Sequence, residues 1–229
     1  MFGFSRRGSN RGFAVNATCD IGELRRLEDI EKRRLRLYGE ITQTDIVASF
    51  SAGVSVCTDL AQSILEYNEE DRGLKVEERQ PIWLFIDSPG GDPTAGFKLI
   101  DAIRLSKTPV LTVNMGQCSS MAFLIAISGH ARFSLPMSTF LMHDGSIFVY
   151  GTTNKVKDQV AFELRVEEEK IKPLVLKRSK MSEEDYKKVC MNEFYMMPED
   201  ALRLGFIDGI IDDIDVFANE VTVKLVADK

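Results

Sequence analysis

Residues 111–145, LTVNMGQCSSMAFLIAISGHARFSLPMSTFLMHDG, decide the fold. Val110–Val113 reads as a buried strand. Gln117-Cys118-Ser119-Ser120-Met121 then makes a turn of small residues, and the apolar run after it suits a helix. Residues 138–142 form another strand-like segment, which ends in His143. Strand, turn, helix and strand in this order indicate an α/β fold with largely parallel strands.

The same order runs outward in both directions. Upstream, IWLFI at 82–86 is a buried strand closed by the turn Asp87-Ser88-Pro89-Gly90-Gly91, and residues 94–106 suit a helix. Residues 20–34 are helix-compatible, 35–41 alternate like a strand, and 54–67 fit a helix with Leu60, Ile64 and Leu65 on one face. The charged segment 68–80 reads as a loop. Downstream, 153–190 predicts a long helix that Pro173 kinks or breaks, then a shorter one from Ser182, a plausible N-cap followed by first-turn acids. Pro198-Glu199-Asp200-Ala201 opens another helix, Gly205 closes it, and Phe206–Ile211 is a last strand. Residues 1–18, rich in Gly, Ser, Asn and Arg, read as a flexible arm. Residues 19–213 make one domain and 214–229 a tail.

The chain has 229 residues and a net charge of −6, which argues against non-specific nucleic-acid binding. The basic run Lys32-Arg33-Arg34-Leu35-Arg36 is offset by nearby acids and reads as a solvated helix face. Cys19, Cys57, Cys118 and Cys190 are far apart, with no CxxC pair, and no HxH or HExxH spacing occurs; neither a metal nor a cofactor is expected. The N-terminus lacks the apolar core of a secretory signal. The longest uncharged apolar stretch, 121–128, is too short to span a bilayer. The expectation is a soluble, cytoplasmic protein with no membrane partner.

Two glycine- or serine-bearing turns follow two buried strands, and in a parallel sheet such turns gather at the carboxyl edge. Ser88-Pro89-Gly90-Gly91 can present free backbone N–H groups. Ser120 opens a helix, where unpaired N–H groups favour developing negative charge. A serine nucleophile needs a base, and the chain has only His130 and His143. His130, in a polar turn, reads as a surface residue. On the turns alone, packing of small residues is the simpler account.

The combination SPGG, TAG at 94–96, MGQCSSM and LMHDG resembles the proteolytic subunit of the Clp protease family over residues 35–213. That resemblance implies a crotonase-like α/β fold with a parallel-sheet core and a protruding helical handle at about 146–190. By position, it assigns Ser120 as nucleophile, His143 as general base, and the Gly91 and Met121 N–H groups as the oxyanion hole. The family's triad aspartate falls at Glu193, or at Asn192 if the register slips by one. Glutamate can fill the orienting role. Trp83 and Phe85 match aromatics near the family's pocket for its ATPase, with sheet core the plainer role for at least one of them. Cys118, beside the nucleophile, reads as a packing residue.

The implied function is a serine endopeptidase subunit that hydrolyses unfolded polypeptides inside stacked heptameric rings. The rings are homo-oligomeric or shared with a paralogue, and an AAA+ unfoldase feeds them. ATP would be spent by that unfoldase, since this chain has no Walker A sequence. His143-Asp144-Gly145 and the bulky residues 146–150 depart from the family's His-Gln-Pro and glycine-rich strand. Glu193, the altered strand at 146–150 and the unusual N-terminus favour the alternative of a catalytically weak subunit of a mixed ring, while Ser120 and His143 count against it. Acyl-CoA chemistry on the same fold would need residues not found here.

Overall fold

The computed structural model describes residues 28–43, 56–146 and 148–217. The arm at 1–18, most of the helix expected over 20–34, and the tail beyond 217 lie outside the described residues. The elements are β1 (Arg34–Tyr38), α1 (Val56–Glu70), β2 (Ile82–Ser88), α2 (Pro93–Leu105), β3 (Val110–Ser119), α3 (Met121–Ile127) and β4 (Ala131–Ser134). They continue with β5 (Thr139–Met142), α4 (Thr153–Val166), α5 (Lys172–Lys177), α6 (Glu183–Cys190), β6 (Phe194–Met196), α7 (Pro198–Arg203) and β7 (Gly209–Ile210).

Among the described residues the strands form one seven-stranded sheet, with β1-β2-β3-β4-β7 in line and all parallel. In β2, Ile82, Leu84, Phe85 and Ile86 are all buried, as a parallel strand covered on both faces requires. α1 and α2 pack together through Leu60, Ile64, Leu99 and Ile103. Every residue of α3 is buried, so it is a core helix and not an amphipathic surface one. Its Phe123 meets Phe206 and Phe140 edge-on, at 5.0 and 6.4 Å between ring centres.

β3 is the strand that positions the site, because it serves two neighbours in succession. Its first half, Leu111–Asn114, pairs with β4; its last residues, Gln117–Ser119, pair with β5. Between the two, the register against β2 shifts near Ile86 and Ser88, the mark of a bulge that redirects a strand. The Asn114 side chain spans the fork, donating to Thr139 O at 2.8 Å and accepting from Gly116 N–H at 3.2 Å. β6 then adds to β5 in antiparallel fashion.

Several expectations change. β3 runs to Ser119, well past Val113, and β4 and β6, four and three residues long, were not anticipated. The expected strand 206–211 shrinks to Gly209–Ile210. The segment 68–80 is not all loop: α1 runs to Glu70, and Val76–Glu78 is a 3-10 turn. Pro173 does not break its helix. It sits in the first turn of α5, where no N–H partner is needed, and a wider π-helical turn at Glu167–Ile171 joins α4 to α5 ahead of it. α4 has no buried residue and forms the protruding part of the handle. No described helix is long and apolar enough to cross a membrane.

The basic run 32–36 is corrected too. Arg34–Tyr38 is strand β1, and Arg33 is only 8% exposed, with a left-handed φ of 50°. Its guanidinium grips Asp71 with two hydrogen bonds of 2.7 and 2.9 Å, lies over the Tyr67 ring, and also reaches Gln80 O. Thr108 Oγ1 donates to the same carboxylate at 2.8 Å. Arg33, just ahead of β1 and covered by Tyr67 of α1, is shut off from water, so its charge is paired instead of solvated. Burial alone would raise the Asp71 carboxyl, but the Arg33 and Thr108 hydrogen bonds outweigh it and hold it below the usual carboxylate range.

Arg33→Ala strands a buried carboxylate and is expected to cost about 3–5 kcal/mol in urea unfolding. Because the folded Asp71 titrates below its unfolded value of about 3.9, its stabilisation is full above that pH and is lost as pH falls through the folded value. A pH series of unfolding curves should show this acid loss in the parent chain, and less of it in Asp71→Asn.

Candidate active site

The site is built where β2 and β3 end. The turn after β2 folds on itself: Ser88 Oγ accepts the Gly90 N–H at 3.1 Å, a serine turn of the kind that Ser-Pro-Gly sequences form. Gly90 and Gly91 both have left-handed φ, 95° and 140°. No other residue type fits either place. A Cβ on Gly90 would lie 2.5 Å from Ser119 O and 2.8 Å from Ser120 Cβ, and one on Gly91 would lie 2.1 Å from Ile41 O. Ile41 clamps this loop from outside, donating to Gly90 O and accepting from Asp92 N–H, both at 2.8 Å. Asp92 then caps α2 by accepting the Ala95 N–H.

Ser120 sits at the junction of β3 and α3 with φ 56° and ψ −123°. A non-glycine residue held there is strained by about 1–3 kcal/mol and persists only because its surroundings over-determine it. Here they do: Ser120 N–H donates to Leu141 O at 2.9 Å, Ser120 O accepts from Phe123 N–H at 3.0 Å, and Gly90 lies against the turn. Ser120 stays half-exposed, while α3 is buried behind it. Among the described residues, neither the Gly91 nor the Met121 N–H has an acceptor. Ile41 spends both its backbone bonds on Gly90 and Asp92, so the Gly91 N–H faces the opposite edge. The Met121 N–H is a helix-start donor and lies 3.0 Å from the point where a Gly90 Cβ would be. Two free donors flank one serine.

His143 follows β5, the strand to which Ser120 is bonded, and is half-buried. The β5–β6 register pairs Phe140 with Met196, Leu141 with Tyr195, and Met142 with Phe194. His143 and Glu193 are the residues next to these facing strand ends, outside the paired stretch. Asp144 N–H donates to Cys190 O at 3.2 Å, so the chain past His143 also leans on the end of α6. The Glu193 carboxylate accepts the Tyr195 hydroxyl at 2.5 Å, and that bond raises the phenol's pKa. Asn192 Nδ2 donates to Lys188 O. Among the described residues, neither the Ser120 hydroxyl nor the His143 imidazole has a hydrogen-bond partner.

Cys118 is fully buried, and burial, with Asp87 nearby, pushes its thiol far above the ordinary range, so it packs and does not attack. His130 is exposed, yet its Nδ1 accepts the Val110 N–H at 3.1 Å and fastens the start of β3. Phe85 is sheet core, while Trp83 is half-buried and meets Phe217 edge-on at 5.4 Å. Residues 214–217 are thus a packed 3-10 turn and not free tail. Sequence reasoning missed Ser88, Ile41 and Tyr195. Ser88 had a signal in the Ser-Pro-Gly-Gly turn; the other two depend on pairings distant in sequence.

Gly91→Ala is expected to abolish native packing of this turn and lower the melting temperature by several degrees, as followed by circular dichroism. Cys118 is expected to resist alkylation by iodoacetamide until the chain is unfolded, while the half-buried Cys190 reacts sooner.

Comparison with known proteins agrees with this architecture. The family model for Clp protease matches residues 56–213, well over half of the chain. The ATP-dependent Clp protease proteolytic subunit 2 of Treponema pallidum (strain Nichols) is 28% identical over 185 residues, 80% of this chain and 84% of that protein. The ATP-dependent Clp protease proteolytic subunit of Leuconostoc citreum (strain KM20) is 30% identical over 160 residues, 69% of this chain and 77% of that one. The corresponding subunit 2 of Treponema denticola is 33% identical over 133 residues, 57% of this chain and 66% of that protein. Taken with a mostly parallel sheet of the crotonase-like kind, these matches place the chain in the Clp protease family, as a Clp-type peptidase.

Proposed function

We propose that this chain is a serine endopeptidase subunit of a compartmentalised, ATP-dependent Clp-type protease. The observation that carries the reading is the strained Ser120 turn, flanked by the unpartnered Gly91 and Met121 N–H groups and bonded to the strand that ends in His143. In the proposed reaction Ser120 Oγ attacks the peptide carbonyl carbon while His143 takes its proton. The Gly91 and Met121 N–H groups hold the oxyanion. His143 then protonates the leaving amine, and water, activated by the same imidazole, hydrolyses the acyl-enzyme.

Glu193 is proposed as the acid that orients the imidazole and stabilises it when protonated. The β5–β6 pairing supports this, since His143 and Glu193 lie directly next to the facing strand ends, Met142 and Phe194. A turn of the Glu193 side chain from the Tyr195 hydroxyl to the imidazole is then part of assembling the site, because catalytic hydrogen bonds often tighten only with substrate bound. The assembly is proposed as stacked heptameric rings, homomeric or shared with a paralogue. A separate AAA+ ATPase would unfold substrates and feed them in.

A second reading, a catalytically weak subunit of a mixed ring, draws on the Glu193–Tyr195 bond and on Phe148 and Tyr150. These two rings, 91% and 92% exposed, follow His143 along the path where substrate would lie.

A fluorophosphonate serine probe separates the readings. An active peptidase labels in the assembled parent protein and fails to label in Ser120→Ala and His143→Ala. Glu193→Ala is expected to cut the labelling rate about a hundredfold or more. An assembled ring that does not label at all supports the weak-subunit reading.

A further inference from the structure

Three features that the proposed reaction does not use converge on the residue after His143. The first is the π-helical turn Glu167–Ile171 at the base of the handle. Such turns cost hydrogen-bond quality and recur at functional places. The second is a buried phenol: Tyr186, on α6 and only 4% exposed, donates its hydroxyl to Glu167 Oε1. Burial, then the Cys190 and Glu167 contacts, drive its pKa far up, so it stays a neutral donor. The third is the end of α6 itself, where Cys190 O accepts the Asp144 N–H.

Together these form a mechanical line. The π turn carries Glu167; Glu167 holds Tyr186; Tyr186 holds α6. The last carbonyl of α6, that of Cys190, holds Asp144 beside His143, and the chain leaving α6 runs through Met191 and Asn192 to Glu193. The base and its proposed acid therefore hang from the same helix end. Besides this bond, α6 is held by the Tyr186 ring in the core and by the half-buried Val189 and Cys190 packed against it. The Lys172–Glu183 pair, at 3.5 Å and largely exposed on the acid, adds little.

We infer that Tyr186 and Glu167 are positioning residues: their hydrogen bond sets the placement of His143 and Glu193 by fixing α6 to the base of the handle. The inference rests on the serine-peptidase reading for its catalytic consequence, but its structural half stands without it. Tyr186→Phe removes one hydroxyl and keeps the packed ring. Glu167→Gln keeps an acceptor for that hydroxyl, and Glu167→Ala does not.

In the full-length assembled protein, Tyr186→Phe and Glu167→Ala are expected to lower kcat for a short peptide substrate about tenfold with KM unchanged, because small misplacements of a catalytic group are costly. Glu167→Gln is expected to stay within about twofold of the parent, because its amide oxygen still accepts the hydroxyl. Hydrogen exchange read by mass spectrometry should show faster exchange around Asp144 in Tyr186→Phe, with β2 and β3 protected as before. An unchanged kcat in Tyr186→Phe, or a Gln variant as damaged as the Ala variant, overturns the inference. Unchanged protection at Asp144 overturns it as well. If the parent protein itself neither cleaves peptide nor labels with the serine probe, the peptidase reading fails, and the exchange measurement still decides whether α6 holds the His143 segment.

Discussion

The close backbone approach between Gly90 and the Ser119–Met121 turn constrains everything around it. Two chain segments that end different strands are pressed together with no room for a single Cβ between them. That contact requires left-handed glycines on one side and a left-handed serine on the other. It is sustained by what lies behind: α3 is wholly buried, Gly96 on α2 lets the Met121 side chain in, and Phe123, Phe140 and Phe206 interlock beneath. The strain at Ser120 is small beside the burial of those aromatics, each contributing roughly 1.5–3 kcal/mol. The core stabilises the turn, and the turn leaves two amide donors and one hydroxyl at the same place.

How far the sequence disclosed this depended on the range of the interaction. β2, the Ser88–Gly91 turn and the Ser120 turn were legible because their signals are local: an apolar run, then small residues that permit left-handed backbone. α3 was legible as a helix, though its burial on every side was not specified by any period. β4 and β6 were not legible, since three or four residues leave no pattern to detect. The Arg33–Asp71 pair was hidden for a different reason. Its partners lie 38 residues apart, and from the chain alone a run of basic residues beside acids reads as solvated. The meeting of the strand ends next to His143 and Glu193 likewise follows from an antiparallel pairing that no local feature announces.

The electrostatics of the site divide along the same line. The donors at Gly91 and Met121 are backbone groups, fixed by the fold and indifferent to pH. The groups proposed to move protons or turn are side chains, Ser120 and His143, half-buried, and Glu193, exposed. Cys118, one strand position before Ser119, shows the contrast. Complete burial makes its thiol inert, although only one residue separates it from the serine proposed to attack.

The forked pairing of β3 has a consequence for how the two halves of the proposed site are joined. The serine and its amide donors belong to the main sheet; the histidine and the acid belong to a side branch of two short strands, β5 and β6. The branch is nonetheless tied into the body: Phe140 of β5 sits in the aromatic core, and Leu141 O holds the Ser120 N–H. A shift of β5 is therefore felt at the serine turn itself, and the two halves keep one another in place.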